Sequence, residues 1–285
     1  MQIRKTGAGR GAKWLNDSIH IIEKGAKPIL LGALMVSVLA SLPGLFGPLA
    51  IIALVVLVLA YPVLMGGLVA MAREIDAGRP ARPADVFAGF RNGRAGALMW
   101  MALPQVLFGL VMVAMLAGAL GQENLELLAA GQEPDVSRAN TGMLLWMALV
   151  LVVGGLATFS ATLFGIPLAM LDGQPGLHAI AASLRAAMVN IGAVLVDLRC
   201  IFVAIVIASI AMLLVGLVLG LVLGLFGDAG HAVGQMLLSV LLNAGVMAVL
   251  ACGHLMAWRD VFGGGDPAHP DAPDEDRPRE VSAEL

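Results

Sequence analysis

Charge is what this chain has least of. Only 13% of its 285 residues are Asp, Glu, Lys or Arg, about half of the roughly 25% found in soluble domains. A water-facing surface cannot be covered at that density, so lipid must cover much of the protein. Cysteine is also scarce. Cys200 and Cys252 are the only two, too few for a disulfide framework, and both fall in or beside apolar runs as buried thiols. There is one tyrosine. No phosphate-binding glycine loop with lysine, no HExxH and no Gly-x-Ser-x-Gly occurs, which removes the enzyme classes that those motifs define. Basic clusters on a soluble face are missing as well, which argues against nucleic acid as a partner.

What is present is apolar. Hydrophobic residues make up 59% of the chain and the mean hydropathy is +0.91. Ile29 to Ala72 and Ala95 to Gln122 each contain no charged residue. Between them lies a basic loop, Arg73 to Arg94, holding Arg73, Arg79, Arg82, Arg91 and Arg94. The first run is too long for one crossing of a hydrocarbon core of about 30 Å, and Leu42-Pro43-Gly44-Leu45-Phe46-Gly47-Pro48 supplies a break. The reading is therefore all-α: a polytopic membrane protein with six spans, at about 29–46, 49–71, 97–119, 143–170, 200–226 and 236–257. Pro104 is placed to kink the third span. Gln122 to Thr141 is expected to be a polar outer loop, and Gly227 to Gln235 a short outer turn.

Basic residues orient the spans. Of the 17 Lys and Arg, only Arg138 falls on the outer side of this plan, so both termini are expected in the cytoplasm by the positive-inside rule, and the membrane is expected to be a bacterial inner membrane. Trp100, Trp146 and Trp258 fall near span ends, where the ring favours the interface. Residues 1–28 lack the early apolar core of a signal peptide. Their Trp14, Leu15, Ser18, Ile19, Ile21 and Ile22 recur at helical spacing, which suggests an amphipathic helix at the membrane surface. Residues 29–262 form the six-span domain. Residues 263–285 carry seven acids against Arg277 and Arg279, a net charge of −5, and such a tail is expected to be disordered. Since the whole chain carries −3, the rest is mildly basic.

A weak threefold repeat is visible. Aligning on Gly25, Gly93 and Gly192 puts Ile19, Phe87 and Ala186 six residues earlier, and Ile22, Phe90 and Val189 three earlier. The unit is a cytoplasmic interfacial helix followed by a transmembrane hairpin, giving three hairpins about an axis along the membrane normal.

Gly11-Ala12-Lys13-Trp14-Leu15, Asp76-Ala77-Gly78-Arg79-Pro80, Asp85-Val86-Phe87-Ala88-Gly89-Phe90, Ser183 to Asn190 and Trp258-Arg259-Asp260-Val261-Phe262 together carry a resemblance. Over residues 10–262 the chain resembles a family of uncharacterised proteobacterial six-helix inner-membrane proteins, and it is distantly similar in plan to the membrane domain found beside glycerophosphodiester phosphodiesterases. The soluble catalytic barrel of those phosphodiesterases has no counterpart here. The resemblance implies a class and no mechanism.

Few residues invite a functional reading. Asp197 and Arg199 stand at the mouth of the fifth span, where ionisable groups are functional candidates; the blander reading makes both interfacial. His254 follows Cys252 by two residues near the inner end of the sixth span. With Cys200 they would supply three metal ligands, short of the usual four, so a buried histidine is the better reading and no metal or other cofactor is expected. Gly216, Gly220 and Gly224 form a small-xxx-small stripe, suited to packing within the chain or to a homo-oligomer face. Phe87 and Phe90 give the basic loop an apolar face that would rest on anionic head groups of the inner leaflet. Thr158, Ser160, Thr162 and Asn243 are the nearest polar groups to the midplane. These features favour a non-enzymatic protein that scaffolds or interacts with lipids or membrane proteins. The alternative is a small-molecule or lipid transporter.

Overall fold

A computed structural model describes residues 2–129, 132–135 and 140–263, and these are helical, with no strand among them. Five helical segments are long and apolar enough to cross a membrane: Ala50–Asp76, Ala95–Leu127, Thr141–Met170, Ile191–Leu221 and Gly230–Val261.

The chain opens with α1 (Arg10–Lys24), broken from α2 (Ala26–Ser41) at Gly25. A Cβ at Gly25 would sit 2.7 Å from the Ile75 side chain, so glycine lets this junction seat against the end of the next helix. The expected first span is shorter than anticipated. Ahead of Pro43 the α-helix gives way to two 3-10 turns, Leu42–Leu45 and Gly47–Leu49, which leaves α2 about 24 Å long. Then α3 (Ala50–Asp76) runs past its expected end by a turn and accommodates Pro62 within it. The basic loop contains the 3-10 turn Pro83–Phe87 and α4 (Ala88–Arg91).

The segment expected as the third span is α5 (Ala95–Met99) followed by α6 (Ala102–Ala129). The break at Trp100 and Met101 is what Pro104 imposes, since its ring clashes with the carbonyl four residues back. At Gly121 the backbone turns left-handed (φ 75°) and helix then resumes, so the expected outer loop is helical through Ala129. Asn124 ties it down, donating to the Leu120 and Asp135 carbonyls and accepting from the Asp135 N–H. Next come α7 (Thr141–Leu163), α8 (Gly165–Met170) and α9 (Gly176–Val189). The last pair is α10 (Ile191–Leu223) and α11 (Gly227–Val261). Only the 3-10 turn Gly224–Phe226 and the positive φ of Gly227 (74°) separate them. The expected Gly227 to Gln235 turn is therefore helix. The acidic tail beyond Gly263 lies outside the described residues.

The short helices share one end of the molecule with Arg73 to Arg94; we call it the basic end. Each packs on helices other than the pair that follows it in the chain. The Pro83–Phe87 turn and α4 lie on α3, α9 lies on α7 and α8, and α1 lies on α10 and α11, which closes the set. A glycine lies at each of these contacts. A Cβ on Gly67 would meet Val86 backbone at 1.9 Å, one on Gly165 would meet the Ala179 carbonyl and the Ser183 Cβ at 3.6 Å, and one on Gly253 would meet the Ser18 Oγ at 3.4 Å. Val86 and Ser183 stand where Ser18 stands if Gly25, Gly93 and Asn190 are made equivalent. Helix α9 ends at Asn190, two residues before Gly192. Its buried positions Gly176, Ala179, Ser183 and Ala186 repeat the spacing of Gly11, Trp14, Ser18 and Ile21 in α1.

Candidate functional site

Polar side chains gather at the basic end, where most of them join one segment to another. Asp260, near the end of α11, accepts from the Trp14 indole N–H at 2.6 Å and from Arg10 Nε at 2.8 Å. Asn190, at the break before α10, accepts from the Thr6 N–H at 2.6 Å and donates to the Arg4 carbonyl at 3.0 Å. The Arg4 N–H reaches the Val261 carbonyl at 3.0 Å. Residues 4–14 thus clasp both ends of the α10–α11 hairpin. Trp258 donates to Asp172 at 2.9 Å, and Asp76 accepts Arg259 Nη1 at 2.6 Å with Lys24 Nζ 3.5 Å away.

Beneath this layer Trp14 is 1% exposed and meets Phe164 edge-on, and Phe164 meets Phe262 likewise. On α1 the residues Gly11, Trp14, Ser18 and Ile21 face protein. Beside them Leu15, Ile19 and Ile22 form a half-open apolar edge, and His20, Glu23 and Lys24 lie outward. The apolar stripe read from the sequence therefore divides between the bundle and the surroundings. An open groove of about 740 Å³ runs between α1 and the ends of α3 and α11, lined among others by Asp17, His20, Lys24, Asp76 and Arg259.

Electrostatics in the loops follow contacts. The Asp85 carboxyl is held below its usual range by the Arg82 backbone N–H and by Arg91. Desolvation raises that of Asp172, and the Trp258 hydrogen bond opposes the rise.

The residues singled out by sequence do not converge on one centre. Asp197 and Arg199 lie within α10, after its first turn, rather than ahead of the helix. Asp197 is 1% exposed, with Oδ1 lacking a hydrogen bond, beneath the close approach of Gly11 to the α10 backbone. Arg199 is exposed. His254 is 4% exposed, and neither ring nitrogen has a hydrogen-bond partner; the Phe159 ring centre lies 6.3 Å away. No grouping of three or more His, Cys, Asp or Glu fit for a metal occurs among the described residues, so Cys200, Cys252 and His254 do not form one. Gly216 faces Leu238, and Gly220 and Gly224 face His231, which places the glycine stripe inside the α10–α11 hairpin. Phe87 packs on the core and Phe90 is 42% exposed. Thr158 and Thr162 donate to carbonyls of their own helix.

Sequence reasoning missed the clasp, although Trp14 and Asp260 sit in two of the stretches it singled out. Nothing local links residues so far apart in the chain. No family model, no curated protein and no solved structure matches this chain.

Proposed function

We propose that this chain is a non-enzymatic integral protein of a bacterial inner membrane, with six spans in three hairpins and both termini in the cytoplasm. Its work in this reading is to present a braced cytoplasmic platform to lipids or to other membrane proteins. The use of the polar side chains at the basic end carries the reading. Asp260, Asn190, Asp76 and Asp172 all hold one hairpin end to another segment, which suits a rigid scaffold. The cyclic packing of the three short-helix segments, each on a hairpin other than its own, supports the three-hairpin plan. In it α2 and its flanking 3-10 turns make the first crossing. The half-open edge of Leu15, Ile19 and Ile22 fits an interfacial helix that is also part of the bundle, with anionic head groups beside the lysines. A likeness to the proteobacterial family, distantly shared with the phosphodiesterase membrane domain, remains part of the proposal.

Copurification from native membranes, with identification of bound protein and lipid, tests the platform. A stoichiometric partner lost when Phe90 and Arg91 are replaced supports it. Recovery of the chain alone, with no partner dependent on the basic end, refutes it.

Transport is the second reading, and Asp197 and His254 favour it. Both are buried polar groups inside apolar helices, where such residues commonly mark a pathway.

A further inference from the structure

His254 is anomalous when the three hairpins are compared. Gly67, Gly165 and Gly253 receive the three short segments, and each is followed seven positions later by an acid: Glu74, Asp172 and Asp260. In that register the residue after the glycine is Leu68, Ile166 or His254, with exposures of 0%, 2% and 4%. Two hairpins place a branched aliphatic side chain there. The third places an imidazole whose two nitrogens are buried without partners. Such a group costs stability.

Packing is anomalous at the same place. The first helix of each hairpin has a groove available between two second helices. In the first hairpin α2 packs on both α3 and α11, and in the second α5 and α6 pack on α3, α7 and α8. Among the described residues α10 packs on α11, α1 and α9, with no comparable packing on α7 or α8. The seam between α7 and α10 therefore opens sideways over α11. Its flanking helices are apolar and exposed, with Leu145 and Val152 at 69% and 68%, and Ile207 and Leu213 at 63% each. His254 lies toward the basic end of α11, with the Phe159 ring centre of α7 6.3 Å away.

We propose that the seam binds a phospholipid of the surrounding leaflet, and that His254 donates an imidazole N–H to one of its ester carbonyls. Depth supports this occupant. His254 is one helical turn, about 6 Å, below Trp258, whose ring belongs at the interface. Ester carbonyls lie at that level, between head groups and hydrocarbon. A second copy of the chain would bring the apolar faces of α7 or α10, which offer no exposed carboxylate or amide acceptor and only scattered hydroxyls such as Ser209. The imidazole is 4% exposed, so the side chains around it must shift for the lipid to reach it. The inference needs only the membrane-spanning part of the proposed function and is independent of which end is cytoplasmic.

The test uses full-length protein in detergent, titrated with phosphatidylethanolamine in diester and diether forms and read by native mass spectrometry. The diether lacks the carbonyl. Wild type is expected to bind the diester about five-fold more tightly, the factor worth one hydrogen bond of about 1 kcal/mol. His254→Leu should lose that preference and melt at a higher temperature, because it restores the aliphatic residue of the other two hairpins. His254→Gln keeps a donor and should keep part of the preference. Equal binding of the two lipids by wild type, an unchanged preference in His254→Leu, or a dimer that takes up no lipid overturns the proposal. A His254→Leu protein that is less stable than wild type also overturns it, by showing a structural imidazole. Orientation is read separately by reporter fusions, so failure of the topology leaves this result intact.

Discussion

Asp260 shows how much one acceptor holds. It takes the indole N–H of a fully buried tryptophan and two nitrogens of Arg10. Asp260→Ala removes these bonds and strands the Trp14 N–H in the core. Hydrogen bonds to charged groups contribute about 1.5–3 kcal/mol each, and shared desolvation makes them less than additive. A loss of about 3 kcal/mol is expected in denaturant melts in detergent, with a changed Trp14 emission; Asp260→Asn, which keeps one acceptor oxygen, should lose less. Asp85 gives a pH prediction. Its folded pKa lies below the ordinary carboxyl value of 3.8, so its contribution is present above about pH 4 and is lost as pH falls through the lower folded value. The Pro83–Arg91 segment should therefore loosen in hydrogen exchange as pH falls below about 4. Asp85→Asn should loosen it at neutral pH and make that segment's exchange insensitive to this titration.

Elements are set by backbone approach. Gly67 lies so near Val86 backbone that an added Cβ would fall 1.9 Å from its carbonyl oxygen. Gly67→Ala cannot be absorbed by a side-chain rotation and should destabilise by about 1–3 kcal/mol, the usual cost of overpacking. Gly96, in a helix with nothing within 4 Å of its added Cβ, is the control; Gly96→Ala should be neutral or stabilising by a few tenths of a kcal/mol. Thermal melts of the two variants side by side check this. The helices themselves were legible from their apolar runs, and the break ahead of Pro104 from the proline. Their ends were not. Asp197 and Arg199 suggested a later start for α10, yet the helix begins at Ile191 because α1 covers its first turns and removes Asp197 from water.

For the whole molecule, Ser37 of α2 lies 3.8 Å from the Met247 sulfur of α11, so the first hairpin is wedged against the last. Cysteines at these two positions, with Cys200 and Cys252 replaced by Ser and Ala, should crosslink within the monomer; recovery of intermolecular products alone would contradict the packing. A reporter after Leu285 is expected to read cytoplasmic and one near Glu133 periplasmic, and activity on the opposite sides would overturn the proposed topology. The sequence by itself determined the class, because charge density and apolar run length measure how much of a chain water can solvate. It also indicated where the basic side lies and hinted at three related segments. Only the tertiary structure decided which segment braces which hairpin. Close backbone approach at Gly67, and contacts of α9 and α1 at Gly165 and Gly253, set which segment lies on which helix. Asp260 and Trp14 meet only because the first segment closes on the last hairpin. The outlier status of His254 could not be read before that register was known, since a lone histidine in an apolar run has no Leu68 or Ile166 to be compared with.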